Sequence, residues 1–192
     1  SVANAATYTF DFAINKSASS SLNFTGNKTS GDGLNTLNVT AYGKTGSNAS
    51  ATLQSWAGNG LGVMAGYSDQ HYVDNEGSDD FVLFDFGQEV KVNKVVLQAW
   101  GDTDITVNSG SVWNTSLINI DGTRPSQTDG SVFVTVDLTN LPLTNSNLWR
   151  IFAQIGGEDG GGLGYDRFKI KSLEVSTVPL PAAVWLFGSA LL

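Results

Sequence analysis

The run Thr7-Tyr8-Thr9-Phe10-Asp11-Phe12-Ala13-Ile14 places Tyr8, Phe10, Phe12 and Ile14 on every second position, with small or polar residues between them. Successive side chains of an extended strand point to opposite faces, so a period of two predicts a strand with one buried face. The same alternation recurs at Leu37, Val39 and Ala41, at Phe81, Leu83 and Asp85 with their partners Val82, Phe84 and Phe86, and at Val132, Val134 and Val136. It returns at Phe168, Ile170, Leu173 and Val175 with one break of register. Turn clusters separate these runs: Thr25-Gly26-Asn27, Gly31-Asp32-Gly33, Gly43-Lys44-Thr45-Gly46, Asp121-Gly122 and Thr128-Asp129-Gly130. No stretch before Pro181 keeps a helical apolar period for three turns. Strand-length runs at spacings of roughly 8 to 15 residues predict an all-β fold, an antiparallel β-sandwich of jelly-roll-like type. Positions 7–177 form this one domain, 1–6 read as an N-terminal arm or signal-peptide edge, and 178–192 form a short apolar segment that can be helical.

Composition narrows the chemistry. Ten basic and 18 acidic residues in 192 give a net charge of −8 and a pI of about 4.4. A surface of that sign cannot neutralise a run of phosphates, which excludes a nucleic-acid binder. Glycine fills 22 positions, about 11% against a usual value of about 7%, as turn-rich β chains require. With no Cys and one His, disulfide frameworks, thiol nucleophiles, zinc fingers and multi-histidine metal centres are excluded. Catalysis would fall to carboxylates, Tyr, Ser or His71. His71 lies between Asp69 and Asp74, but no Gly-x-Ser-x-Gly marks a nucleophile, and a lone imidazole in a Tyr/Asp turn reads as structural. The sequence predicts no enzyme.

Both ends read as addresses. Ala3-x-Ala5 is the small-residue pattern that signal peptidase accepts. Val178-Pro179-Leu180-Pro181 leads into an uncharged run ending at Leu192. A helix over 182–192 would rise about 16 Å, roughly half of a hydrocarbon core of about 30 Å, so this stretch by itself does not span a bilayer.

The segment 178–192, VPLPAAVWLFGSALL, resembles the C-terminal sorting signal of PEP-CTERM proteins, with Leu180 where the family's name has Glu and without the basic tail that follows the apolar helix in that family. The resemblance implies export in a Gram-negative bacterium, sorting by an exosortase to the cell surface or extracellular matrix, and membrane contact only in transit through the complete helix. Gly60-Leu61-Gly62-Val63, His71-Tyr72-Val73-Asp74-Asn75, Asp80 to Phe86, Asp102-Thr103-Asp104-Ile105-Thr106-Val107 and Tyr165-Asp166-Arg167-Phe168-Lys169-Ile170 are similar in order to motifs in the ectodomains of such proteins. Those are largely β-sandwiches, so this second resemblance implies architecture and address and no reaction.

Several residues suit binding. Asp-x-Asp at a strand entry offers hard oxygen ligands of the kind Ca²⁺ takes, which singles out Asp102 and Asp104, with Asp79 and Asp80 next; solvated turn residues are the competing reading. Glu158-Asp159 with Asp166 forms another acidic group, across a glycine-rich stretch that lacks the Lys-Ser/Thr of a phosphate-binding loop. Asn-x-Ser/Thr triplets stand at Asn15, Asn23, Asn27, Asn38, Asn48 and Asn114, and read as a polar sheet face suited to a polysaccharide matrix. Trp56, Trp100, Trp113, Trp149, Tyr42, Tyr67 and Tyr72 could stack on sugar rings; Trp113 in its polar segment is the candidate for exposure, while Trp100 and Trp149 follow apolar runs and are expected inside.

The leading expectation is an exported, non-enzymatic structural protein that requires no cofactor. Alternatives are a Ca²⁺-assisted carbohydrate-binding module and, third, a secreted carbohydrate-active hydrolase. The apolar residues Val184, Trp185, Leu186, Phe187, Leu191 and Leu192 suggest self-association into filaments, with the run 7–14 able to add to a neighbour's sheet edge.

Overall fold

The computed structural model describes residues 4–46, 48–65, 71–76, 78–111, 118–121, 129–155 and 165–178. Among them there is no helix. The strands are β1 (Thr7–Asp11), β2 (Lys16–Ser19), β3 (Ser21–Ser30), β4 (Thr36–Thr45), β5 (Ala49–Ser50), β6 (Thr52–Trp56), β7 (Gly60–Met64), β8 (Val73–Asp74), β9 (Asp80–Ala99), β10 (Ile105–Ser109), β11 (Ile118–Ile120), β12 (Phe133–Asp137), β13 (Ser146–Ala153) and β14 (Arg167–Thr177). Trp113 and residues 179–192, including Pro179, Leu180, Pro181 and the apolar positions 184–192, lie outside the described residues.

Five antiparallel strands close on themselves in the order β9, β4, β3, β1, β14 and back to β9. Strand β9 makes this closure possible. Its first part, Asp80–Asp85, pairs with Thr40–Thr45 of β4, and its second part, Val90–Ala99, pairs with Phe168–Thr177 of β14. Between them Gly87, Gln88 and Glu89 are exposed, and Gly87 has φ 66°, a left-handed conformation that costs glycine little. The Asp85 carboxylate accepts from the Gly87 N–H at 2.9 Å and fixes the bend. Other strands pack outside the ring: β13, β10 and β11 continue from β9, and β7, β6 and β2 continue from β14. The all-β, antiparallel class expected from the period-two runs is therefore present. Its arrangement is a closed five-strand barrel with outer strands, not clearly a jelly-roll sandwich.

Burial follows the alternation. Tyr8, Phe10 and Phe12 point inward with Val39, Ala41, Val82, Phe84 and Phe86. Phe12 meets Phe24 edge-on at 4.8 Å and stacks on Phe84 at 5.4 Å, while Phe10 meets Phe86 at 5.6 Å. Phe81 and Phe152, direct partners across β9 and β13, stack at 4.3 Å. The register break in the last strand is a bulge: Ile170 faces Leu97 and Ser172 faces Val96, so Lys171 is the extra residue. That one residue moves the inward set from Phe168 and Ile170 to Leu173 and Val175.

Three local expectations change. Ile14 lies beyond the end of β1 and is 43% exposed. Strand β1 is paired on both sides, by β3 and β14, so both of its edges are already used and it is not available to extend a neighbour's sheet. Trp149 is buried, its Nε1–H donating to the Val90 and Ser146 carbonyls, but Trp100 is only partly buried because it stands one residue past the end of β9.

The triplet asparagines of β3 and β4 form a ladder. Thr40 Oγ1 donates to Asn23 Oδ1 and Thr25 Oγ1 donates to Asn38 Oδ1, each at 2.8 Å between residues directly opposite one another. These polar pairs cover the outer face of the barrel wall.

Candidate cation centre and its aromatic neighbour

Three segments arrive together where β9, β8 and β14 begin or end. Asp102 and Asp104 follow β9 and precede β10, Asp166 immediately precedes β14, and Asn75 immediately follows β8. Asp102 and Asp166 form an isolated parallel bridge, the Arg167 N–H donating to the Asp102 carbonyl at 3.1 Å. The Gln154 N–H donates to the Asp104 carbonyl at 3.2 Å, which ties in the end of β13.

This backbone arrangement gathers three carboxylates. Asp102, Asp104 and Asp166 each offer an oxygen, all within 4.8 Å of one another, and the three residues are 8%, 8% and 3% exposed. Asn75 orients Asp166 twice: its Nδ2–H donates to Asp166 Oδ2 at 2.8 Å and its Oδ1 accepts from the Asp166 N–H at 2.9 Å. The Gln154 N–H also reaches Asp166 Oδ2 at 3.2 Å, and Asp102 Oδ1 accepts from the Thr103 N–H at 2.8 Å. The nearby Arg167 guanidinium pairs with Glu76.

Burial pushes the Asp166 carboxyl up to about 7; the charge of Asp104 adds to the rise, the Gln154 hydrogen bond opposes it, and Asp102 adds a further increment. Three like charges out of water repel one another, and a divalent cation relieves both the repulsion and the desolvation. The cluster could hold a metal ion. Hard oxygen donors without nitrogen or sulfur suit Ca²⁺ or Mg²⁺, and the six to eight oxygens Ca²⁺ takes would be completed by backbone carbonyls or solvent.

The pair Asp102/Asp104 was legible in the sequence; its third member was not grouped with it. Asp166 stands at a strand entry, as Asp104 does, which is the signal that sets it apart from Glu158 and Asp159. Asp79 and Asp80 are not brought to this cluster. Asp80 opens β9 opposite Thr45, at the far end of that strand, and burial raises the pKa of Asp79 there.

A second constellation uses the same three segments. Tyr72, Trp100 and Lys169 lie two or three residues from Asn75, Asp102 and Asp166, respectively. The Tyr72 and Trp100 ring centroids are 5.4 Å apart, and Lys169 Nζ lies 3.8 Å from the Trp56 centroid, 5.5 Å from that of Tyr72 and 5.8 Å from that of Trp100. His71, at φ 64°, sets its ring 5.3 Å from Trp56, beside the aromatics. Gly130, at φ +80°, lies against Trp100, where an added Cβ would fall 2.4 Å from the indole. Sequence reading offers Trp56, Tyr72 and Trp100 as aromatics able to stack on sugars but neither groups them nor includes Lys169, because Trp56 and Lys169 meet only through the pairing of outer strands with β14. No family model, curated protein or solved structure matches the chain.

Proposed function

We propose that this chain is an exported, non-enzymatic structural domain of the surface or extracellular matrix of a Gram-negative bacterium, with a calcium ion at Asp102, Asp104 and Asp166. The single observation that carries the calcium reading is the burial of three mutually close carboxylates at a junction of strand ends. Calcium sites of extracellular modules work at Kd values of about 10⁻⁴ to 10⁻³ M, so such a site fills after export. Filling it fastens β14, whose pairing with β9 closes the barrel, to the segment leading into β10. The resemblance of 178–192 to a PEP-CTERM signal supports the address, with exosortase as the sorting partner, and the apolar positions 184–192 support self-association into filaments.

Thermal melting of the 192-residue chain with Ca²⁺ and with chelator tests the site: a calcium-dependent rise in Tm, absent in Asp102→Asn, is expected, and superimposable curves reject it. Sorting is tested by restoring a full signal peptide and a basic tail; surface delivery that is equal with and without exosortase rejects the address.

The aromatic group around Lys169 favours a second reading, a calcium-assisted carbohydrate-binding module. A cation at the aspartates would fix the spacing of the three segments that also carry Tyr72, Trp100 and Lys169.

A further inference from the structure

Lys169 is 7% exposed and lies on the face of β14 that carries Gln98 as its direct cross-strand neighbour on β9. Its ammonium is surrounded by the rings of Trp56, Tyr72 and Trp100, and among the described residues it has no carboxylate and no hydrogen-bond acceptor. Aromatic faces compensate part of the charge, but an ammonium carries three N–H donors that ring faces satisfy weakly. Two other cations of β14 and its flank do find polar partners: Arg167 pairs with Glu76, and Lys171 Nζ donates to the Gly58 carbonyl at 3.2 Å. Two further polar atoms beside Lys169, Gln98 Oε1 and Trp100 Nε1, are buried with no hydrogen-bond partner. The three aromatic residues are themselves only partly buried, so the group reaches the surface.

We propose that Trp56, Tyr72, Trp100 and Lys169 form a binding site for a carboxylated sugar, a uronic-acid residue of an extracellular polysaccharide. The aromatic surfaces take the C–H faces of the pyranose ring, and the Lys169 ammonium takes the carboxylate. One cation amid neutral rings matches one carboxylate on an otherwise neutral ring. A densely charged polyanion needs a basic surface that this acidic chain does not have. The inference rests on the glycan-binding reading above and deepens it by naming the sugar class.

The test is titration of the 192-residue protein, followed by tryptophan fluorescence and calorimetry, with two disaccharides of the same rings: cellobiose and its counterpart with glucuronic acid at the non-reducing end. The acidic disaccharide is expected to bind at least about tenfold more tightly than cellobiose, as a charge-assisted hydrogen bond requires. Lys169→Met should bring the two affinities together, Lys169→Arg should keep the preference, and Trp56→Ala should weaken both sugars. The melting transition of each variant verifies its fold, and the Arg variant retains the charge should the Met variant fail to fold. Equal binding of the two disaccharides by the wild type overturns the uronate assignment and leaves the glycan reading standing. A preference unchanged in Lys169→Met overturns the role of the lysine, and no saturable binding of either sugar overturns both the site and the glycan reading.

Discussion

Asp102 and Asp166 face each other in a parallel backbone bridge, whereas every pairing between the strands is antiparallel. The bridge brings two acidic side chains from distant parts of the sequence to one point, and Asp104 completes a buried group of three. Such a group destabilises the cation-free protein, and under the cation proposal it would stabilise the cation-bound one, so its substitutions are expected to have opposite signs in the two states.

Asp166→Asn keeps an acceptor oxygen for Asn75 and the Gln154 N–H while removing a carboxyl whose pKa of about 7 leaves it partly ionised at neutral pH. In chelator at neutral pH the variant is expected to melt at the wild-type temperature or slightly above it. In calcium at about a hundredfold over Kd, the wild type gains about 2.7 kcal/mol, roughly 5–10 °C in a domain of this size, and the variant gains little. Differential scanning calorimetry in both buffers reads the crossing; a variant less stable than wild type by the same amount in each buffer contradicts the electrostatic account.

Lys169 gives the stability a pH dependence. Burial lowers its pKa from 10.5 to about 8. Below about 8 both folded and unfolded chains hold the proton and the burial cost is present in full. Between about 8 and 10.5 the unfolded chain holds more protons than the folded one, so this group makes stability rise with pH. Burial raises the pKa of Tyr72 above the ordinary phenol value, so it holds its proton more firmly than an exposed tyrosine, and Gln98 opposite is uncharged. The faces of Trp56, Tyr72 and Trp100 favour the ammonium and make the rise smaller than burial alone would. Urea denaturation from about pH 7.5 to about pH 10 should show a steeper rise for wild type than for Lys169→Met; parallel profiles contradict the assignment.

Gly130→Ala meets two obstacles, a φ of +80° and the Trp100 indole 2.4 Å from the new Cβ. A cost of roughly 1–3 kcal/mol is expected from backbone strain and overpacking together. The Trp100 ring must shift, so the tryptophan emission should change along with Tm. An unchanged spectrum at wild-type stability contradicts the packing described.

The last strand ends at Thr177, where its N–H donates to the Ala6 carbonyl at 2.9 Å and Ala6 N–H donates to Thr177 Oγ1 at 3.1 Å. Deleting 181–192 removes none of these contacts and should leave Tm unchanged. If those residues drive self-association, the same deletion yields a monomer by analytical ultracentrifugation where the full chain polymerises. Polymers that persist after the deletion, or a full chain that stays monomeric at high concentration, reject filament formation through this segment.

The alternation at Tyr8, Phe10 and Phe12 fixed which face of β1 is buried, and the parity change between Ile170 and Leu173 announced the bulge at Lys171. These features are local: side-chain direction in a strand depends only on residue parity, so the chain carries it explicitly. The Asp102/Asp104 pair was legible for the same reason, its members being two positions apart at a strand entry. Barrel closure was not legible, because it depends on β9 running through the bend at Gly87 to pair with β4 at one end and β14 at the other. Which strands become neighbours is decided by long-range pairing, and no periodicity encodes a partner. Asp166 joining Asp102, and Lys169 reaching Trp56, follow from that same pairing. Strand faces, turns and the acidic pair are set within a few residues and are therefore written in the chain; the closed ring, the third carboxylate and the aromatic surround of Lys169 each require segments far apart in the chain to be hydrogen-bonded into one wall, and they emerge only on folding.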